Sequence, residues 1–202
     1  MGRNYAAHTR EMGGDPVAEP PLFFSKPADA IVPGGGDVAY PLATSDLHHE
    51  VELVLAIGEG GENLDAVAAD RAIWGWAVGM DLTRRDLQAE AKKGGKPWDA
   101  AKGFDASAPI GPITPRTGAA SLEGGIRLTV NGQVRQQADL SDMIWSPVQI
   151  VQAASRLWRL APGDLIFTGT PEGVAALVRG DEALCEIYGV EPPIEPLHFR
   201  MV

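Results

Sequence analysis

An apolar strand that opens on two carboxylates constrains this chain more than any other stretch. Asp46-Leu-His-His-Glu-Val-Glu-Leu-Val-Leu-Ala-Ile57 ends in a run of strand type, and Glu50 and Glu52 stand two residues apart inside its start. The two-residue period of a strand puts both carboxylates on one face and Val51 on the other. Like charges beside an apolar strand are unfavourable unless they are solvated, share a proton or bind a cation. A hard divalent metal resolves the conflict; a solvated strand end avoids it. His48 shares the face of Glu50, as a ligand, a neighbour of the ligands or a structural histidine, while His49 points away.

Composition narrows the choices. The 202 residues are 45% hydrophobic, enough for one sizeable core, so a single domain over residues 1–202 is expected. Lys and Arg number 17 against 27 Asp and Glu, a net charge of −10, which argues against a nucleic-acid or membrane partner. Cys185 is the single cysteine and has no internal disulfide partner. With no secretory or membrane-spanning stretch in the sequence, a reducing cytoplasm is the expected location. Glycine and proline, 24 and 16, favour short strands and tight turns over long helices.

In chain order, residues 4–12 read as a short helix with His8 and Glu11 three apart on one face. A carboxylate that holds one imidazole nitrogen leaves the other free as a base near neutral pH, although His-x-x-Glu is also common on solvated helices. Residues 20–27 read as a short aromatic strand ending at Lys26, a candidate for a substrate carboxylate or a plain surface lysine. Asn63 is the expected cap of a helix over 63–73, and residues 74–82 form an apolar strand with Asp81 at its end. Thr83-Arg-Arg-Asp86 reads as a capping box; Arg85 and Gln88 share one face of the helix it opens, where an anion would be welcome. Gly94-Gly95 closes that helix.

Residues 96–112 are too rich in Gly and Pro for regular structure, and Lys102 is their most interesting charge. Residues 126–139 predict a hairpin turning at Asn131-Gly132, and Ser146-Pro147 a capped helix with a core stripe at Val148, Val151, Ala154, Leu157 and Trp158. Residues 160–174 give a turn, a strand and a glycine-rich turn, in which Thr170 and the amides near Gly169 and Gly173 can receive a carboxylate or oxyanion. Pro192, Pro193 and Pro196 would interrupt a central strand.

The blocks 2–12, 23–27, 48–53, 79–88, 96–105 and 163–174, taken together and in this order, resemble the fumarylacetoacetate hydrolase family, in particular its smaller enzymes that cleave acylpyruvates. The resemblance implies a mostly β, α+β fold, a roll of mixed β-sheets with a few short helices, and a homodimer. It implies that Glu50, Glu52 and Asp81 hold Mg²⁺ or Mn²⁺, which an all-oxygen ligand set suits. His8 and Glu11 match the dyad that activates water, Lys102 the lysine that steadies developing negative charge, and Lys26, Arg85, Gln88 and Thr170 the lining of the substrate pocket.

The implied chemistry is hydrolysis of a 2,4-dioxo acid, in which water attacks the 4-carbonyl and pyruvate departs as an enolate that the cation stabilises. Fumarylpyruvate is the favoured substrate, because residues 19–24, 74–93 and 107–113 look closest to the subgroup that uses it in gentisate breakdown. Oxaloacetate decarboxylation, isomerisation or decarboxylation of dienedioates, and metal-dependent binding of oxo-acids without catalysis are the alternatives. The family pattern also leads one to expect a strand ahead of Gly2, absent from this sequence, and a segment 2–20 able to close over the site.

Overall fold

The computed structural model describes residues 1–11, 13, 20–117 and 123–202. Its centre is the strand Val51–Ile57, buried at every position. That strand pairs antiparallel with Ile73–Met80 on one side and Leu165–Phe167 on the other. Ala108–Ile110 extends the sheet beyond Ile73–Met80 and is itself paired, in parallel, with Ile31–Pro33. A second sheet runs in the order Gln133–Asp139, Gly125–Val130, Glu182–Tyr188, Leu197–Met201 and Gly36–Val38, its last pair parallel. A small third sheet joins Ala176–Leu177, Leu47–His48 and Thr83–Arg84. These mixed sheets, with few and short helices, are the architecture the sequence led us to expect.

Strand period divides the central strand between two environments. Val51, Leu53, Leu55 and Ile57 join the main core with Ile126, Leu128, Ile187 and Phe199 of the second sheet. Val54 packs on the other face with Ala77 and Ile110, and by the same alternation Glu50 and Glu52 lie on that side. The strand is not continuous through residue 47, however. Pairing breaks at His49 and Glu50, so the sequence's single strand 47–57 is two strands with a step at the first carboxylate.

Several local expectations hold. Asn131 and Gly132 turn the hairpin with φ of 50° and 76°, and Ser146 caps the helix Pro147–Leu157 in a full capping box with Gln149. Others need correction. Asp65 caps the helix Ala66–Ala72, its Oδ1 accepting from Ala68 N at 2.8 Å, in place of Asn63. Thr83 and Asp86 form no capping box, because the Asp86 carboxylate is drawn to Thr44 Oγ1 and Ser45 N, and Gly95 alone, at φ 60°, terminates the helix Arg85–Gly94. Residues 20–27 form only one bridge, Leu22 to Gly2, since their prolines remove ladder donors. Residues 96–112 do hold regular pieces, the helix Asp99–Lys102 and the strand Ala108–Ile110. Leu157 and Trp158 are exposed, at 61% and 49%, so the core stripe of the last long helix runs through Ile150, Val151 and Ala154 instead.

The hairpin carries an irregularity that matters below. Val134 pairs with Thr129 and Gln136 with Leu128, which leaves Arg135 as an extra residue and turns Gln136 from the solvent face into the core. The bulged Arg135 carbonyl is met by Gly173, where an added Cβ would lie 2.3 Å from that oxygen at a φ of +89°. Gly173→Ala is therefore expected to cost about 1–3 kcal/mol, through both the left-handed backbone and the clash. A circular-dichroism melt should move down by several degrees; an unchanged midpoint would refute this close packing.

Candidate active site

The outer wall begins with Asn4. Its buried side chain accepts from Trp145 N at 2.7 Å and donates to Trp145 O at 3.0 Å, while its carbonyl accepts from Ile144 N. This clamp fixes the chain just before the helix Ala6–Glu11. On that helix the buried His8 Nδ1 lies 3.4 Å from Glu11 Oε2. The proton assigned to Nδ1 by that contact leaves Nε2 with its lone pair. Burial pushes the His8 imidazole below its usual range, against the opposing pull of Glu50 and Glu11, which keeps it neutral at pH 7.

The strand step delivers the carboxylates. Glu50 comes from the residue before the central strand and Glu52 from its start, and Asp81 from the residue after Ile73–Met80, its N–H donating to Glu50 O at 2.9 Å. One oxygen from each of the three lies within 4.8 Å of the others, all buried. Lys102 Nζ stands among them, 2.8 Å from Glu50 Oε2, 2.7 Å from Asp81 Oδ2 and 2.6 Å from Thr83 Oγ1. Lys26 Nζ is 2.8 Å from Asp81 Oδ1 and also donates to the Leu82 carbonyl at 3.1 Å. Arg85 reaches Glu50 Oε1 at 2.7 Å and donates to His48 Nδ1 at 3.3 Å and to Gln88 Oε1. Arg85, at the helix start where the sequence suggested an anion, pairs with the protein's own Glu50.

These charges divide the two glutamates. Burial acts to raise Glu50, but Lys102 and then Arg85 outweigh it and hold the carboxyl well below the usual range. Among the described residues Glu52 has no such cation in contact: its Oε2 accepts from Gly169 N at 2.6 Å and its buried Oε1 has no hydrogen-bond partner. Burial, with Asp81 and Glu50 adding to it, pushes Glu52 up to about 8 despite the Met1 ammonium. Burial likewise lowers Lys26, whereas for Lys102 the attraction of Asp81 and Glu50 overcomes burial and raises it. A buried carboxylate oxygen without a donor, beside two further carboxylates, is what a divalent cation would satisfy, and three oxygen donors fit Mg²⁺ or Mn²⁺.

His8, Glu50, Arg85, Gln88, Lys102 and Thr170 line one narrow cavity of about 20 Å³, room for roughly one water molecule. Asp81 and Lys26 face a larger, mainly apolar cavity of about 360 Å³, separated from the first by Met1 and Phe24, which line both. Glu11 sits at the rim, its side chain 48% exposed and its Oε1 3.4 Å from Gly173 N. Of the segment 2–20, residues 12 and 14–19 lie outside the described residues. Sequence reasoning missed Thr83, the third partner of Lys102, and Gln136, which binds His49 and Thr170. Thr83 was hidden by its apparent role as a cap and Gln136 by an otherwise solvent-facing strand.

The model of the family described as fumarylacetoacetate (FAA) hydrolase C-terminal matches residues 1–196. The chain belongs to the fumarylacetoacetate hydrolase family. It is 42% identical to a fumarylpyruvate hydrolase of Ralstonia sp over 176 residues, covering 87% of this chain and 92% of that one. Over 191 residues it is 40% identical to the mitochondrial oxaloacetate tautomerase of Bos taurus, covering 94% and 86%. The crystal structure of fumarylpyruvate hydrolase from Pseudomonas aeruginosa in complex with Mn²⁺ and pyruvate superposes with a TM-score of 0.94 at 48% identity, covering 100% of this chain and 87% of that one. Family membership makes this chain an enzyme, a hydrolase of carbon–carbon bonds in ketonic substances.

The state of Glu52 sets a pH dependence. A carboxyl that titrates near 8 when folded and near 4.5 when unfolded holds its proton more tightly in the folded protein. Stability of the metal-free protein should then fall as pH rises from 5 to 8, and Mn²⁺ binding, which needs the ionised carboxylate, should tighten over the same window. Thermal melts across this range, with and without Mn²⁺, check both signs. Glu52→Gln should flatten the metal-free profile; an unchanged slope in that variant would assign it elsewhere.

Proposed function

We propose that this enzyme hydrolyses an acylpyruvate, with fumarylpyruvate as its substrate and fumarate and pyruvate as its products. The observation that carries the reading is the single cavity in which a buried imidazole, backed by a carboxylate, meets Glu50 of the carboxylate triad and Lys102. Likeness to fumarylpyruvate hydrolases supports the choice of acyl group.

In this reading His8 Nε2 takes a proton from water, which attacks the 4-carbonyl, while Glu11 accepts the Nδ1 hydrogen bond and steadies the imidazolium. A cation held by Glu50, Glu52 and Asp81 supplies, when bound, electrostatic stabilisation for negative charge on the oxo-acid oxygens. Lys102 adds its own positive charge at the same place. The electron pair of the broken C3–C4 bond passes to the pyruvate half as an enolate, which takes a proton to give pyruvate. Fumarate leaves with the oxygen of water. Lys26, Arg85, Gln88 and Thr170 position the substrate, the first two through charges now shared with Asp81 and Glu50.

A single catalytic domain, a cytoplasmic location and a homodimer belong to the same reading. The exposed Leu157 and Trp158 support the last. Likeness to an oxaloacetate tautomerase favours one second reading, an oxo-acid reaction that needs no water.

Loss of the enol absorbance of fumarylpyruvate, followed with Mg²⁺, with Mn²⁺ and after chelation, tests the proposal. Metal-dependent hydrolysis is expected, and His8→Ala should reduce kcat by about 10²–10⁴-fold. Turnover of oxaloacetate but not of fumarylpyruvate, indifferent to His8→Ala, would replace the first reading by the second. The wild-type kcat should also fall as pH drops through the lowered His8 pKa, because the protonated ring cannot accept a proton.

A further inference from the structure

Gln136 is 1% exposed on a strand whose neighbouring residues Gln133 to Gln137 otherwise face solvent. It is inside only because the bulge at Arg135 shifts its register. An uncharged amide brought into a core by so specific a device satisfies every one of its hydrogen-bonding valences. Oε1 accepts from His49 Nδ1 at 3.0 Å and from Val51 N at 3.1 Å. Nε2 donates to Thr170 Oγ1 and to the Pro171 carbonyl, both at 2.8 Å. The orientation of the amide is not open to exchange: Val51 N–H can only donate and the Pro171 carbonyl can only accept.

That fixed orientation decides the Thr170 hydroxyl. Because Nε2 donates to Thr170 Oγ1, the hydroxyl oxygen is an acceptor there, and its own proton must point elsewhere. Thr170 lines the narrow cavity with His8, and a hydroxyl proton turned from Gln136 into that cavity would meet the place where water attacks a carbonyl. A donor preset in a water-poor site stabilises charge that appears only as the reaction proceeds.

We propose that Gln136 is a positioning residue, which holds the Thr170 hydroxyl as a donor to the oxyanion formed at the attacked carbonyl. The inference rests on the acylpyruvate reading above. It also assigns to the hairpin bulge, remote in sequence from every predicted site residue, a part in the reaction.

A double-mutant cycle tests it. Thr170→Val and Gln136→Met should each lower kcat by about 10- to 100-fold with little change in KM, and the pair together should lose no more than either alone. Thr170→Ser, which keeps the hydroxyl, should recover most of the rate. A residue that only held the fold would lower kcat by the same factor in the Thr170→Val background as in wild type, and that result overturns the proposal. Wild-type kcat in Thr170→Val overturns it as well, and this arm stands even where Gln136→Met fails to fold. The same cycle read by calorimetry, with a phosphinate analogue of the tetrahedral adduct in the presence of Mn²⁺, separates the two readings. Coupled loss of binding in a protein that hydrolyses no acylpyruvate would remove the reaction and keep the Gln136–Thr170 unit. A wild type that neither binds the analogue nor turns over substrate would overturn both.

Discussion

Everything at this site follows from burying three carboxylates away from bulk solvent. Isolated buried carboxylates are costly enough that the surrounding chain must answer each one. Glu50 is answered by Lys102 and Arg85, Asp81 by Lys102 and Lys26, and Glu52 by one backbone amide. The cations come from three separate stretches, residue 26, residue 85 and residue 102, so satisfying the acids draws distant parts of the chain to one end of the central sheet. The same arrangement leaves Glu52 undercompensated, and an undercompensated carboxylate attracts a divalent ion.

Phe24 lies under the Lys102 ammonium, 4.7 Å from its ring centre, and Phe104 under Arg84 at 4.3 Å and Lys26 at 5.4 Å. Aromatic faces thus restrict these cations without neutralising them. His48 extends the set outward, its Nδ1 accepting from Arg85 and its Nε2 2.9 Å from Asp46. Burial, then the neighbouring Arg85, lowers its pKa, in keeping with a neutral ring that accepts on one side and donates on the other.

What the sequence made legible was local and periodic. Two-residue spacing suggested one face for Glu50 and Glu52, and they do converge with Asp81 although Glu50 sits just ahead of the strand; Asn131-Gly132 and Ser146-Pro147 carry their geometry in their side chains. What stayed hidden depended on pairing. A one-residue bulge inverts the facing of a strand, so nothing distinguishes the buried Gln136 from Gln133, Arg135 and Gln137 in the sequence. Thr83 and Asp86 fit a helix cap until Lys102, nineteen residues from Thr83, and Thr44, forty-two from Asp86, claim their oxygens. The large cavity beside Lys26 was likewise invisible, since its walls come from segments with no sequence relation to one another.

The turn that follows Leu165–Phe167 holds two carboxylates at once. Gly169 N–H donates to Glu52 and Gly173 N–H to Glu11, four residues apart on one short length of backbone. The placing of Glu11 beside His8 and the electrostatics of the carboxylate triad therefore depend on the same piece of chain. A substitution that lengthens or shifts this turn cannot adjust the imidazole without also moving a carboxylate of the triad. Differences in ligand preference on such a scaffold then fall to cavity walls such as Phe23 and Trp98, which hold neither carboxylate.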